Sequence, residues 1–205
     1  MAGRSSHRVN SRLSAFVRWR AVSPAVVSIG VSIVLECRGL HKRFAVGAGS
    51  CGASAHVLRG VDLSLSEGEC LAVVGTRGAG KSTLLLCAAG LLRPEAGEVR
   101  WFGQAPSAKA RKAVLYHWTP TDFERASTVE GVGIHLVDFA FAADWPPRFT
   151  EWIERRRDRG ETIVLATRDE ATGRALAARV VFLRRGQLMP FARGDGVARV
   201  AEPFA

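Results

Sequence analysis

From residue 33 onward, apolar and polar positions fall into short blocks, and the block lengths predict the elements. "IVLECRGL" (33–40) alternates with the period of two expected of a half-buried strand. "GAGSCGAS" (47–54) is a loop by composition. "VLRGVDLSLSEGE" (57–69) places Val57, Val61, Leu63 and Leu65 on a strand-like alternation before Gly68-Glu69 turns the chain. "CLAVV" (70–74) has no polar position, as in a strand covered on both faces. "KSTLLLCAAGLL" (81–92) reads as a helix that Gly90 tends to stop. "PEAGEVRWFGQ" (94–104) predicts a turn and an edge hairpin, and "KAVLYHW" (112–118) and "IHLVDF" (134–139) predict strands. "TEWIERRRDRG" (150–160) is an amphipathic helix with Thr150 as its N-cap and Gly160 beyond its end. "TIVLAT" (162–167) is a buried strand, "EATGRALA" (170–177) a short helix, and "RVVFLRRGQLM" (179–189) two strands around a turn at Arg185-Gly186. Apolar strands alternating with helices predict an α/β fold: a mostly parallel sheet flanked by helices, with a small antiparallel β portion near the N-terminal part. There is no internal repeat.

Two blocks carry candidate chemistry. "GTRGAGKST" (75–83) fits G-x-x-x-x-G-K-[ST], with an apolar strand before it and a helix after it. Gly75, Gly78 and Gly80 let the backbone of Thr76, Arg77 and Ala79 wrap closely, so that amides up to Thr83 ring a phosphate at the helix N-terminus. Lys81 is a point charge for the β- and γ-phosphates, and the Ser82 hydroxyl suits Mg2+. Asp138 ends an apolar strand some 60 residues later, where P-loop proteins place a carboxylate for the same ion. The metal-holding residues are therefore Ser82 and Asp138. The plainer alternatives are a glycine-rich loop that matches by chance and a turn-capping Asp.

The net charge of +10 is uneven: five Arg and no acid lie in residues 1–30, so half of the excess sits in that tail. A basic surface suits phosphates, nucleic acid or anionic lipid without choosing among them. Nothing resembles a DNA-reading motif, so no nucleic-acid partner is expected. The four Cys (Cys37, Cys51, Cys70, Cys87) lack metal-ligand spacing, and Cys70 and Cys87 lie in apolar runs, which points to a reducing compartment. The run "AVSPAVVSIGVSIVL" (21–35) is 15 residues long and broken by Pro24 and Gly30, whereas a membrane span needs about 20. Residues 1–32 are thus expected to be a basic tail, disordered or upstream of the natural start, ahead of a nucleotide-binding domain at 33–205.

Across most of residues 33–190 the chain resembles the ATP-binding subunit of ABC transporters. "VLRGVDLSLSEGECLAVVGTRGAGKSTLLLCAAGLLRPEAGEVRWFGQ" follows that pattern almost position by position, and "LVDF" and "ETIVLATRDEATGRALAARVVFLRRGQLM" continue it. The resemblance implies that Phe44 stacks on adenine, that ATP and Mg2+ are the ligands, and that Asp144 stands near the D-loop. It also implies a second ATP-binding subunit and a membrane permease as partners, with a cytoplasmic place at the inner face of the membrane. The departures fall on the catalytic parts. The Glu after the strand-ending Asp is Phe139, the switch His is Arg168, and no Gln stands near 117–119. Asp144 lies one residue closer to Asp138 than the pattern has it. The helical subdomain with its L-S-G-G-Q signature is absent between "STVEGV" (127–132) and Ile134. Nucleotide binding with impaired hydrolysis is the leading reading, and no residue is assigned as catalytic. An active transport ATPase, a P-loop kinase of a small molecule using the Arg residues of "ERRRDR" (154–159), and a non-enzymatic scaffold are the alternatives.

Overall fold

The computed structural model describes residues 32–46, 53–117, 133–139 and 147–190, all within the compact unit Val31–Ala205. The expected tail, most of the 47–54 loop, "STVEGV" and Asp144 lie outside the described residues. A three-stranded antiparallel sheet has the order β2-β1-β4, from β1 (Ile33–Ala45), β2 (Ser54–Ser66) and β4 (Ala96–Trp101). A six-stranded sheet has the order β5-β6-β7-β3-β8-β9, from β3 (Cys70–Val74), β5 (Val114–His117), β6 (Ile134–Asp138), β7 (Thr162–Thr167), β8 (Arg179–Arg184) and β9 (Gln187–Pro190). The pairings from β5 to β8 are parallel, and β9 alone returns antiparallel. Among the described residues the α-helices are α1 (Lys81–Ala88), α2 (Pro147–Asp158) and α3 (Glu170–Leu176). The expected α/β architecture, with a mostly parallel sheet and a small antiparallel one, is the observed one.

The central strands β3, β6 and β7 are buried at every position, which is why their sequences show no alternation. The period of two instead sorts their side chains between two cores. One core joins Leu35, Leu40, Leu58 and Leu65 of the antiparallel sheet with Leu84 and Leu85 of α1 and with Leu71, Val73, Leu136 and Val164. The other lies on the opposite face, under α2 and α3, and contains Val137, Phe139, Phe149, Trp152, Ile153, Ile163, Leu165 and Leu176. Helix α1 ends where Trp101 donates its indole N–H to the Ala88 carbonyl at 2.8 Å, satisfying an end-of-helix acceptor from another element. Among the described residues, no helix is long and apolar enough to cross a membrane.

Three local expectations need correction. Helix α2 begins at Pro147, so Thr150 lies inside its first turns rather than capping it; proline, with φ preset and no N–H to satisfy, is well suited to a first helical position. Its other end is as expected, with Gly160 at φ 72° and Glu161 N–H reaching the Arg156 carbonyl at 3.1 Å. The edge hairpin reduces to one strand, β4, with a single return bridge from Trp101 to Gln104. In β2 the inward position is Leu58 and not Val57, because the β1–β2 ladder shifts register around Leu40–His41 and Gly60 turns at φ 70°. One extra residue in a ladder moves every later side chain to the other face.

Candidate phosphate site

The loop between β3 and α1 runs across the carboxyl ends of three neighbouring strands. Val74 pairs with Thr167, and Asp138 pairs with Ala166, so β6, β7 and β3 end side by side. The Gly75 N–H donates to the Thr167 carbonyl at 3.2 Å and pins the start of the loop to β7. Close packing fixes the glycines. A side chain at Gly75 would stand 2.6 Å from the Leu183 carbonyl, and one at Gly80 would stand 2.9 Å from the Val57 carbonyl. Gly78 and Gly80 adopt φ 80° and 103°, the left-handed region where a side chain is strained.

Lys81 opens α1 and is only 3% exposed. Its ammonium donates to the carbonyls of Gly75 at 2.6 Å and Thr76 at 3.0 Å. Burial lowers its pKa, Asp138 opposes that shift and Arg168 adds to it, so all three charges act at one place. No side chain caps the first turn of α1, and that turn contains no acid. Its amides and the positive end of its dipole are therefore presented toward the loop, as an anion requires. Ser82 and Thr83 are half-buried, Ala79 is buried, and Thr76 and Arg77 are exposed.

Asp138, 3% exposed, ends β6 on the same face as Leu136. Its Oδ2 accepts the Tyr116 hydroxyl at 3.0 Å. Burial and Asp138 both raise the Tyr116 pKa, which keeps the phenol protonated. Tyr116 is absent from the candidate residues read in the sequence; the period of two along "VLYH" puts it on the inner face but cannot say what it faces. The next residue after Asp138 points the other way. The Phe139 ring is 4% exposed, sits 4.6 Å from the Phe149 ring and belongs to the core under α2. Arg168, exposed, follows Thr167 at the end of β7 beside the loop.

Phe44 stands apart from these groups. It is 41% exposed near the end of β1, opposite Ala55, with the Lys42 ammonium 5.4 Å from its ring centroid. Two residues beyond Ala55 on β2, Val57 is the residue whose carbonyl lies over Gly80. Phe44 and Val57 thus belong to the same β1–β2 ladder, and Val57 is the member that meets the loop. The site thus assembles a buried cation held by carbonyls alone, a glycine cradle, an uncapped helix start and a buried carboxylate. That donor set fits a nucleotide phosphate group with a magnesium ion.

On the other face a buried polar chain lies under α2. His117 Nε2 is 3.1 Å from His135 Nδ1, His135 Nε2 is 2.6 Å from Glu161 Oε2, and Arg156 Nη1 donates to Glu161 at 2.9 Å. Burial lowers the His135 pKa to about 4, against the pull of Glu161.

A family model described as ABC transporter matches residues 58–165. The hemin import ATP-binding protein HmuV of Nocardia farcinica is 34% identical over 174 residues, which is 82% of this chain and 52% of that protein. The cytochrome c biogenesis ATP-binding export protein CcmA of Hyphomonas neptunium is 33% identical over 121 residues, 55% of this chain and 62% of that protein. The chain therefore spans about half the length of the curated relatives it matches. Two solved structures share the fold. One is cbiO1 of Clostridium perfringens, part of the ABC transporter complex cbiONQ: TM-score 0.60, 17% identity, covering 77% of this chain and 87% of that one. The other is an ATP-binding cassette in a dimeric post-hydrolysis state bound to ADP and Pi: TM-score 0.61, 15% identity, covering 80% and 100%.

Proposed function

The chain belongs to the ABC transporter family, and from that premise we propose that it is an ATP-binding subunit whose hydrolysis is impaired and whose role in a transport assembly is accessory or regulatory. Residues 75–83 would hold the phosphates. Lys81 would exchange its two carbonyl partners for phosphate oxygens, and Phe44 would stack on the base. Ser82 and Asp138 would hold Mg2+, which when bound neutralises phosphate oxygens as a Lewis acid.

The observation that carries the reading is the pair Asp138–Phe139. The carboxylate for the ion stands at the strand end, while the next side chain, a phenyl with no proton-accepting atom, is packed into the opposite core. Losing a general base lowers a rate by about 10²–10⁴. The absent L-S-G-G-Q sequence points the same way, because this chain could not complete a partner's site with it. A second ATP-binding subunit supplying its own signature, and a membrane permease, are the fitting partners, at the cytoplasmic face of a membrane.

The test is ATP binding with Mg2+ and phosphate release measured on one purified sample, with Lys81→Ala as the control. Binding that Lys81→Ala abolishes, without turnover, is the expected result. Turnover abolished by Lys81→Ala would restore an active ATPase, and affinity unchanged by it would refute the assigned loop.

A further inference from the structure

Asp138 is one of the least exposed carboxylates described, and such a group needs hydrogen-bond donors to remain charged. Tyr116 supplies one from a different strand. In the parallel β5–β6 pairing Tyr116 lies beside Leu136, two residues short of Asp138. Two residues of strand span about 6.6 Å, roughly the reach of a tyrosine from its Cα to its hydroxyl. The side chain therefore runs along the sheet face, packs its ring against the core shared with α1, and delivers its O–H to Oδ2 at 3.0 Å. Phenylalanine would fill the same space and donate nothing, and serine or threonine would fall short.

We infer that Tyr116 is a positioning residue for the magnesium-holding carboxylate. Its hydrogen bond makes the two oxygens of Asp138 inequivalent and fixes the carboxylate plane before the ion arrives. The inference rests on the assignment of Asp138 to the ion. Donors placed behind a metal-holding group typically change metal affinity by about 10- to 100-fold when removed. Tyr116 is half-buried and donates to a single oxygen, so the low end of that range applies.

The experiment titrates Mg2+ at fixed fluorescent ATP analogue and follows binding, not turnover, in the wild-type chain, Tyr116→Phe, Asp138→Asn and the double variant. Tyr116→Phe is expected to raise the Mg2+ midpoint about tenfold and to leave analogue affinity in chelator unchanged. In the Asp138→Asn background the same substitution should add nothing, because its route to the ion is gone. The double variant has no carboxylate at 138, so it reports any effect of Tyr116→Phe that does not run through that group. A Mg2+ midpoint unmoved by Tyr116→Phe, or moved equally in both backgrounds, overturns the positioning role while leaving Asp138 in place. A midpoint unmoved by Asp138→Asn overturns the assignment of Asp138, and this inference with it.

Discussion

Replacing Phe139 by Glu returns the side chain that the family resemblance expects, yet it should damage the fold and yield no ATPase. The ring is 4% exposed and packs 4.6 Å from Phe149 in a core with Trp152 and Ile153. Emptying a buried phenylalanine site costs about 3–5 kcal/mol. Glutamate refills part of that volume with two methylenes. It also brings a carboxyl group into an apolar core, which costs about 1–3 kcal/mol even in the neutral form it would adopt. A net loss of about 4 kcal/mol corresponds to a fall of roughly 8–16 °C in Tm for a domain of this size. Thermal unfolding followed by circular dichroism, with phosphate release measured well below the transition, checks both halves. Phe139→Leu is the comparison, with a smaller fall because it stays apolar. A Phe139→Glu protein that melts within about 2 °C of the parent and releases phosphate would refute the reasoning, since the side chain would then have to face the phosphates.

Three further outcomes follow from the packing. The His135 pKa falls from 6.5 to about 4 on folding, so the unfolded chain binds more protons between those values and stability drops as the pH falls through that window. The loss reaches about 3 kcal/mol by pH 4, read as a falling urea midpoint that His135→Gln should flatten; a midpoint constant from pH 7 to 4 contradicts the assignment. Gly75→Ala drives a methyl group to 2.6 Å from the Leu183 carbonyl, so β3 and β8 must separate. It should lose about 1–3 kcal/mol in denaturant unfolding and weaken nucleotide binding with it. Trp101→Phe removes the 2.8 Å bond to the last turn of α1 and leaves a void; a loss of about 2 kcal/mol is expected in the same assay, and an unchanged midpoint would mean the turn is capped some other way.

The strands and the glycine-rich loop between β3 and α1 were legible because their information is local. An all-apolar pentamer, a glycine-lysine loop and a helix stop each announce themselves within ten residues. What escaped was set by alignment between elements. The inward position at Leu58 instead of Val57 follows from register shifts along β1 and β2, which neither strand encodes alone. The start of α2 at Pro147 lies upstream of the amphipathic pattern that begins at Thr150. The Tyr116–Asp138 bond needs the β5–β6 register, and no spacing along the chain expresses it. The direction of Phe139, by contrast, follows from the alternation once Asp138 is assigned a face.

The strand that leads into the loop, β3, has β7 and β8 as its two neighbours, and both come from the last third of the described chain. During synthesis the loop sequence leaves the ribosome well before either neighbour exists, so residues 70–74 wait as an unpaired apolar segment. The pin from Gly75 to Thr167 forms only after about 90 more residues are made, at the usual translation rates some 5–20 seconds later. The hairpin tip closes the arrangement later still, when Arg59 N–H meets the Gly186 carbonyl at 2.8 Å. Chains interrupted before β7 would therefore carry every residue of the loop and still lack a rigid cradle. The cradle is thus a product of the finished sheet and not of the loop sequence alone.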